Sequence, residues 1–267
     1  MQHYLYPIRQ HELLIQLTKR DVLQRFKGSW LGLGWAVITP LAMLAVYTFV
    51  FRTILKARWP GGAESNSEFA LQLFCGLLIY TLFSEIIGRA PKLILEQPNL
   101  VKKIIFPLEI LPWISIISSF FFATISFSVL LIGTVFLRDG VGGISIALLS
   151  IPIIFAVFLP LLLGFSWFLA ALGVYMQDTS HIVGLILTPM LFLSPVFYPL
   201  ESMSENVQFI MHFNPLTIII GAIRDVVMQG IWPDFKMLVI YLLIGISLAI
   251  SGAWCFDKTR KGFADVL

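Results

Sequence analysis

The side chains able to do chemistry are few in this 267-residue sequence, and they do not gather. A phosphate loop for ATP hydrolysis needs G-x-x-x-x-G-K-[ST], and no Gly-Lys pair occurs anywhere in the chain. The four histidines form no ligand spacing. Cys75 and Cys255 each sit in an apolar run, where they read as small helix residues and not as disulfide partners or metal ligands. Glu85 and His181 are the ionisable groups within apolar runs, and both fall near the ends of those runs. Ion-coupled transporters carry charges deep in their spans at about 2.5–3.5 kcal/mol each, because the charges drive transport. No such relay is present here. Glu85 reads as a boundary residue paired with a nearby base, and His181 with Asp178 as an interfacial pair. The acid–base groupings Arg224-Asp225 and Glu201/Glu205 lack the cluster of acids, bases or metal ligands that a membrane enzyme requires. What the chain does hold is aromatic, with 23 Phe, 7 Trp and 7 Tyr. Most suit lipid-facing and interfacial positions. Trp35, Tyr47, Phe197 and Tyr198 could instead wall a path, each offering a flat apolar face and some a polar handle, along which sugars slide without being gripped.

The elements that would position these residues follow from composition. Hydrophobic residues make up 58% of the chain, charged residues 12%, and the mean hydropathy is +0.90. That leaves too little polar surface for a soluble globule and excludes a disordered or fibrous chain. A net charge of +3 carries no nucleic-acid signal. The first thirty residues lack the apolar core of a signal peptide, so the N-terminus is expected to be retained. Uncharged or nearly uncharged runs of about 20 residues or more suit transmembrane helices. They place spans at Leu31–Phe51, Phe69–Gly88, Ile110–Leu137, Ser150–Val174, Thr179–Leu200 and Met237–Phe256. The stretch from Val141 to Gln177 has no charge and is long for one helix and short for two. Reading it as one span, with Val141 to Ser150 as an outer lead-in, puts twelve Lys and Arg on the side of both termini and six on the other. The positive-inside rule then makes both termini cytoplasmic. The expectation is one all-α integral membrane domain over residues 1–267 with six transmembrane helices.

Three segments do not span. Residues 1–30 form a basic cytoplasmic leader in which Leu13, Leu14 and Leu17 share one arc of a helical wheel, while Ile15, Val22 and Phe26 fall on another. Residues 89–109, RAPKLILEQPNLVKKIIFPLE, are too charged to span and too apolar for a plain loop. Pro91, Pro98 and Pro107 predict short helices broken by turns. Exposed Leu93, Ile94, Leu95 and Leu100 beside basic residues then offer either a docking surface for another protein or packing against the second and third spans. Residues 201–234 lie on the outer side. Ser204-Glu205 and Asn214-Pro215 each resemble a helix start, and Gly230 a stop. Two short helices dipping into the outer leaflet are predicted, as a gate or as a structural plug.

The stretches DVLQRFKGSWLGLGWAVITPLAMLAVYTFVF from Asp21, NLVKKIIFPLEILP from Asn99, FLSPVFYPL from Phe192, Asn214-Pro215-Leu216-Thr217 and the terminal Phe263-Ala264-Asp265-Val266 together resemble the membrane subunit of polysaccharide-exporting ABC transporters. The likeness is to O-antigen (Wzm-type) permeases, with teichoic-acid and capsule exporters as cousins, and it covers nearly the whole chain. It implies a homodimer in the bacterial inner membrane with two separate ATPase subunits below, ATP being used by that partner and no cofactor being bound directly. The coupling segment would then use Arg89, Lys92, Leu93, Leu95, Glu96 and Leu100. Residues 1–27 would be an interfacial helix. Spans one and five would face the pore, making Trp35, Tyr47, Phe192, Phe197 and Tyr198 channel residues. Ser204, Asn214, Pro215 and Arg224 would belong to a periplasmic gate. The implied cargo is an undecaprenyl-linked polysaccharide. The alternatives are a same-fold exporter of teichoic acid, capsule, lipid or drug, and, less favoured, a secondary transporter or a membrane enzyme.

Overall fold

A computed structural model describes residues 10–25, 27–54, 56, 59, 66–101, 106–137 and 145–266, and the regular elements among them are all helical. Lys102, Lys103, Arg138 and residues 141–144 of the expected outer lead-in lie outside the described residues.

The leader forms α1 (His11–Gln24). Its Leu13, Leu14 and Leu17 pack against the core, while Ile15 and Leu23 point outward. Gly28 and Gly32 hold positive φ of 86° and 51°, a conformation glycine adopts without strain, and they turn the chain from leader into span. The first apolar helix, α2 (Trp35–Thr48), continues as a π-helix over Phe49–Ile54, and no residue in either is buried. By contrast α3 (Asn66–Arg89) is buried on all sides from Leu73 to Ile79, which marks it as the central helix. A 3-10 turn (Ala90–Lys92) and the short α4 (Pro98–Val101) follow it. Then come α5 (Ile110–Leu137), α6 (Ile151–Tyr175) with a 3-10 lead-in at Ile146–Ser150, and α7 (Thr179–Leu193). The segment after α7 holds α8 (Glu205–Met211) and α9 (Thr217–Arg224), the latter running into a π-helix at Asp225–Gln229. Gly230 ends that segment at φ 68°. Last are α10 (Phe235–Arg260) and α11 (Phe263–Val266).

Five helical stretches are long and apolar enough to cross a membrane: Gly32–Ile54, Ser67–Lys92, Ile110–Phe136, Ile146–Tyr175 and Phe235–Arg260. The Thr179–Leu200 stretch is different. Its helix stops at Leu193, and 15 residues at 1.5 Å each reach only about 22 Å, short of a ~30 Å hydrocarbon core. Ser194 turns extended at ψ 151°, as the residue before Pro195 prefers, so the apolar run continues but the helix does not.

Small residues set the closest helix contact. A Cβ on Gly164 would stand 2.5–2.7 Å from the backbone of Leu248 and Ala249. One on Gly252 would overlap the Gly164 carbonyl, so α6 and α10 touch backbone to backbone. Arg260 closes the same seam, its Nη1 2.8 Å from Glu109 Oε2, and the Trp167 indole donates to the Glu109 carbonyl at 3.2 Å.

Candidate functional site

Polar side chains collect at the two ends of α3. Glu68 and Arg89 are 21 positions apart, about 30 Å along the axis. Between Leu73 and Phe83 the helix is almost entirely apolar.

At the first end the organising residue is Arg224, buried to 8% exposure. Its Nη1 donates to the Pro195 carbonyl at 2.5 Å and its Nη2 to the Val196 carbonyl at 2.7 Å. Nε and Nη2 both reach the Gln72 carbonyl, at 3.3 and 3.2 Å. The guanidinium also lies 4.5 Å above the Trp59 ring. The reason is local. Where the chain leaves helix after α7, backbone carbonyls lose their partners, and non-helical backbone at membrane depth persists only when buried in protein or beside a watery cavity. A planar fork of donors serves several carbonyls at once. Gly76 leaves the room for it, since a Cβ there would stand 2.9 Å from Val196 Cα and 3.0 Å from Arg224 Nη2.

Asn214 stitches the same break from the other side. Its Nδ2 donates to the Leu193 carbonyl at 3.1 Å and to Ser194 Oγ at 2.9 Å, and its Oδ1 accepts from the Leu216 N–H at 2.9 Å. The helix beyond begins at Thr217, with the Pro215 carbonyl accepting from Tyr241 Oη at 2.7 Å. Ser204 is exposed at the N-terminus of α8.

Three of the five expected channel aromatics meet. Phe197 lies 5.1 Å from Tyr47 and 5.4 Å from Phe192, ring centre to ring centre. Phe51, which the sequence reading passed over, stacks on Phe197 at 4.3 Å and 8°. Phe197 is 5% exposed, so it anchors the cluster, whereas Phe192 is half exposed. Tyr198 turns aside and donates to the Phe192 carbonyl at 2.9 Å. Trp35 stands at the opposite end of α2. It shares with Tyr47, Tyr80 and Glu85 a largely apolar groove of 410 Å³ between α2, α3 and α5.

At the other end of α3 the leader is held by ion pairs. Arg89 Nη2 and Nη1 bond both carboxylate oxygens of Asp21, at 2.8 and 3.2 Å, and Ser118 Oγ donates to the same carboxylate at 2.6 Å. Arg25 pairs with Glu85, which also accepts from Ser119 Oγ at 2.7 Å. Arg25 lies 4.5 Å above the Phe122 ring as well. Burial pushes the Asp21 carboxyl up, but the hydrogen bonds from Arg89 and Ser118 and the charges of Arg89 and Arg25 outweigh it and hold the carboxyl below its ordinary value. Glu85 is thus a boundary carboxylate with a base beside it, and that base comes from the leader.

The turn beyond Arg89 follows the packing alternative for most of its apolar residues. Ile94 is fully buried, and Leu93 and Leu100 pack on the core, because the turn folds its apolar side chains up against the helices. Lys92, Glu96, Pro98 and Asn99 are exposed, with Leu95 half-buried between them. This surface is therefore mixed and mainly polar. Gly173 of α6 fixes its seat, lying directly against the Pro91 carbonyl. Elsewhere, His181 is exposed and joined to Asp178 through backbone, at 2.9 Å. Cys75 and Cys255 are both free thiols. Among the described residues no group of three or more His, Cys, Asp or Glu could hold a metal.

Trp59, Gln72, Gly76 and Phe51 complete these clusters and were not singled out from sequence. Trp59 was the most accessible of them, as an aromatic just beyond the end of an apolar run.

Comparison with known proteins gives one consistent answer. The profile of the ABC-2 type transporter family matches residues 12–228. The chain is 25% identical over 256 residues to the O-antigen export system permease protein RfbA of Myxococcus xanthus, covering 95% of this chain and 94% of that one. It is 24% identical over 259 residues to the protein of the same name from Klebsiella pneumoniae, covering 96% and 95%. With the polysialic acid transport protein KpsM of Escherichia coli it shares 22% identity over 215 residues, 80% of each chain.

Proposed function

The chain belongs to the ABC-2 type transporter family, and from that premise we propose that it is the permease subunit of an ATP-driven polysaccharide exporter. The observation that carries this reading is the near full-length likeness to two O-antigen export permeases. The missing phosphate loop agrees with it, since the energy must then come from a partner.

In this reading the chain crosses the bacterial inner membrane six times with both termini in the cytoplasm, α7 making the fifth crossing in chain order together with the broken backbone from Ser194 to Leu200. Two copies form the pore and two ATPase subunits bind beneath. The turn from Arg89 to Leu100 is the coupling segment, and Lys92, Glu96 and Leu95 are the side chains it offers to the ATPase. Leu93 and Leu100 seat it on the helices above, and Arg89 ties it to the leader. The channel wall is formed by α2 and α7, whose poor burial within one chain suits faces that meet a second copy and the cargo. Tyr47, Phe192, Phe197 and Tyr198 stand at its outer end and Trp35 at its inner end. Ser204, Asn214, Pro215 and Arg224 shape the periplasmic gate. The cargo is an undecaprenyl-linked, O-antigen-like glycan. A long glycan exceeds the ~30 Å of hydrocarbon, so a tunnel fed by repeated ATPase strokes suits it, and a closed central pocket does not.

The test is purification with the ATPase encoded beside it, followed by reconstitution in vesicles with lipid-linked glycan. ATP-dependent delivery of glycan to the far side is expected. Transport that continues without ATP, or a permease that retains no ATPase, would refute the reading.

A further inference from the structure

The groove between α2, α3 and α5 is long and slender. Its α2 wall runs from Trp35 to Tyr47, and its α3 wall runs antiparallel to that, from Glu85 back to Phe74. Those walls span 12 and 11 positions, about 16–18 Å, close to the depth of one leaflet of a ~30 Å hydrocarbon core.

The space exists because small residues face it. Ser119, Ala123 and Ser126 recur at helical spacing on the α5 wall, and Ala36 stands on the α2 wall. Nor does α2 close down on the gap, since none of its residues is buried. The groove therefore opens sideways, past the exposed Thr39 and Thr81. Its main polar groups are already engaged. Tyr80 Oη donates to the Leu187 carbonyl at 2.8 Å, while Glu85 is paired with Arg25 and accepts from Ser119 Oγ at 2.7 Å. The rest of the lining is mostly apolar, with Phe74, Leu77, Leu78, Leu82 and Phe122.

Shape then selects the occupant. Spread over its length, 410 Å³ gives a cross-section of roughly 25 Å². A helix of a second copy is about 10–12 Å across and cannot enter. A single hydrocarbon chain can. Packed proteins leave few voids larger than a water molecule, so at membrane depth the lipid alongside fills such a groove. We propose that it holds one acyl chain of a membrane phospholipid, entering beside Trp35 and Glu85 and ending against Tyr47. The Arg25–Glu85 pair is partly exposed and marks the headgroup end. Asp21, Arg25, Glu85 and Arg89 are paired with one another there, so the site grips the chain and sets no demand on the headgroup. The much longer undecaprenyl chain would overrun a groove of one leaflet's depth. The proposal rests on the chain's place in a membrane and goes beyond the exporter reading. In that reading, the lipid chain holds α2 off α3 beside the channel residues Trp35 and Tyr47.

The experiment uses the full chain carrying p-benzoylphenylalanine in place of Thr81, at the rim of the groove, or in place of Leu243, on the exposed face of α10. Each protein is purified from bacterial membranes, washed in mild detergent to strip loosely associated lipid, irradiated, and weighed intact. A diacyl phospholipid adduct is expected at Thr81 and not at Leu243. Thr39→Phe plugs the groove from an exposed position and should abolish the Thr81 adduct, with an unchanged melting temperature reporting that the variant is folded. Absence of a phospholipid adduct at Thr81, equal labelling at Leu243, an adduct with a polyprenyl phosphate, a crosslink to a second copy, or an adduct that persists in folded Thr39→Phe would overturn the proposal. None of these outcomes bears on ATP-driven glycan export, which is tested separately by reconstitution.

Discussion

Gly173→Ala tests the seat of the turn proposed to couple to the ATPase. An added Cβ would overlap the Pro91 carbonyl oxygen and stand 2.7 Å from its carbonyl carbon and 2.8 Å from its Cα. Carbon atoms rest at about 3.5–4.0 Å, so the turn must retreat by roughly 1 Å. Both partners are backbone, and no side-chain rotation can absorb the clash. Overpacking of this kind costs about 1–3 kcal/mol, and each kcal/mol lowers the melting temperature of a chain this size by about 2–4 °C. Gly184→Ala in α7 is the control, because nothing lies within 4 Å of its Cβ position, and alanine favours helix by up to about 1 kcal/mol. Thermal unfolding in detergent should show Gly173→Ala lowered by several degrees and Gly184→Ala unchanged or raised. Co-purification should show the ATPase partner lost from the former and kept by the latter. If Gly173→Ala melts with wild-type protein and keeps its ATPase, the tight seat does not exist or does not matter. If it melts early but keeps the ATPase, the turn is structural and coupling lies elsewhere.

Three further outcomes follow from the same geometry. Arg224→Met strips the donors from the carbonyls of Gln72, Pro195 and Val196 and should cost on the order of 3–5 kcal/mol in unfolding, with Arg224→Lys recovering less than half because an ammonium is no planar fork. Docking of α1 should survive mild acid. The native Asp21 carboxyl titrates below its ordinary value of about 3.9, so its contribution is complete above that pH and is lost only as pH falls through the lowered value. Hydrogen exchange in α1 that rises already at pH 5–6, or that is unaltered in Asp21→Asn, would contradict the network. Phe197→Ala should cost about 3–5 kcal/mol, while Phe197→Leu keeps most of the stability and loses the ring. Long glycan chains should stall in both variants. Unchanged chain length in the Leu variant would remove Phe197 from the channel wall.

The sequence carries the long apolar elements plainly, because length and the absence of charge are one-dimensional signals that need no partner. Gly230 as a stop and the helices beginning near Ser204 and Asn214 are legible for the same reason, each being a local backbone requirement. The early end of α7 is not, since LSPVFYPL is apolar enough to extend a span and only the turn at Ser194-Pro195 breaks it. Nor is the inward turn of Ile94, which depends on the register of a 3-10 turn seated against Gly173. The role of Arg224 was the hardest to read. Its partners are backbone carbonyls, identical in every residue type, and the helix break that frees them lies 29 positions away. Asp21 and Arg89 are separated by 68 positions, and nothing in their types names one as the partner of the other.

The two ends of α3 are held by bonds of different kinds, and the difference decides which end yields first. At the leader end the bonds join side chain to side chain, and Asp21, Arg25, Glu85 and Arg89 remain 20–34% exposed. When such a pair separates, water can reach each partner, so the net cost per pair lies below that of a fully buried pair. At the opposite end one buried guanidinium holds three backbone carbonyls from two elements. Separating these breaks several hydrogen bonds to one buried cation together, each worth about 1.5–3 kcal/mol. If the Arg89–Leu100 turn is the coupling segment as proposed, a force applied from it opens the leader contacts before it disturbs the break after α7. Arg224 ties the start of α3, the end of α7 and α9 together, so under such a force they would move as one body with Phe197, two residues beyond Pro195, carried along. If these elements form the proposed gate, it opens by moving that body against its surroundings, with the bonds of Arg224 kept.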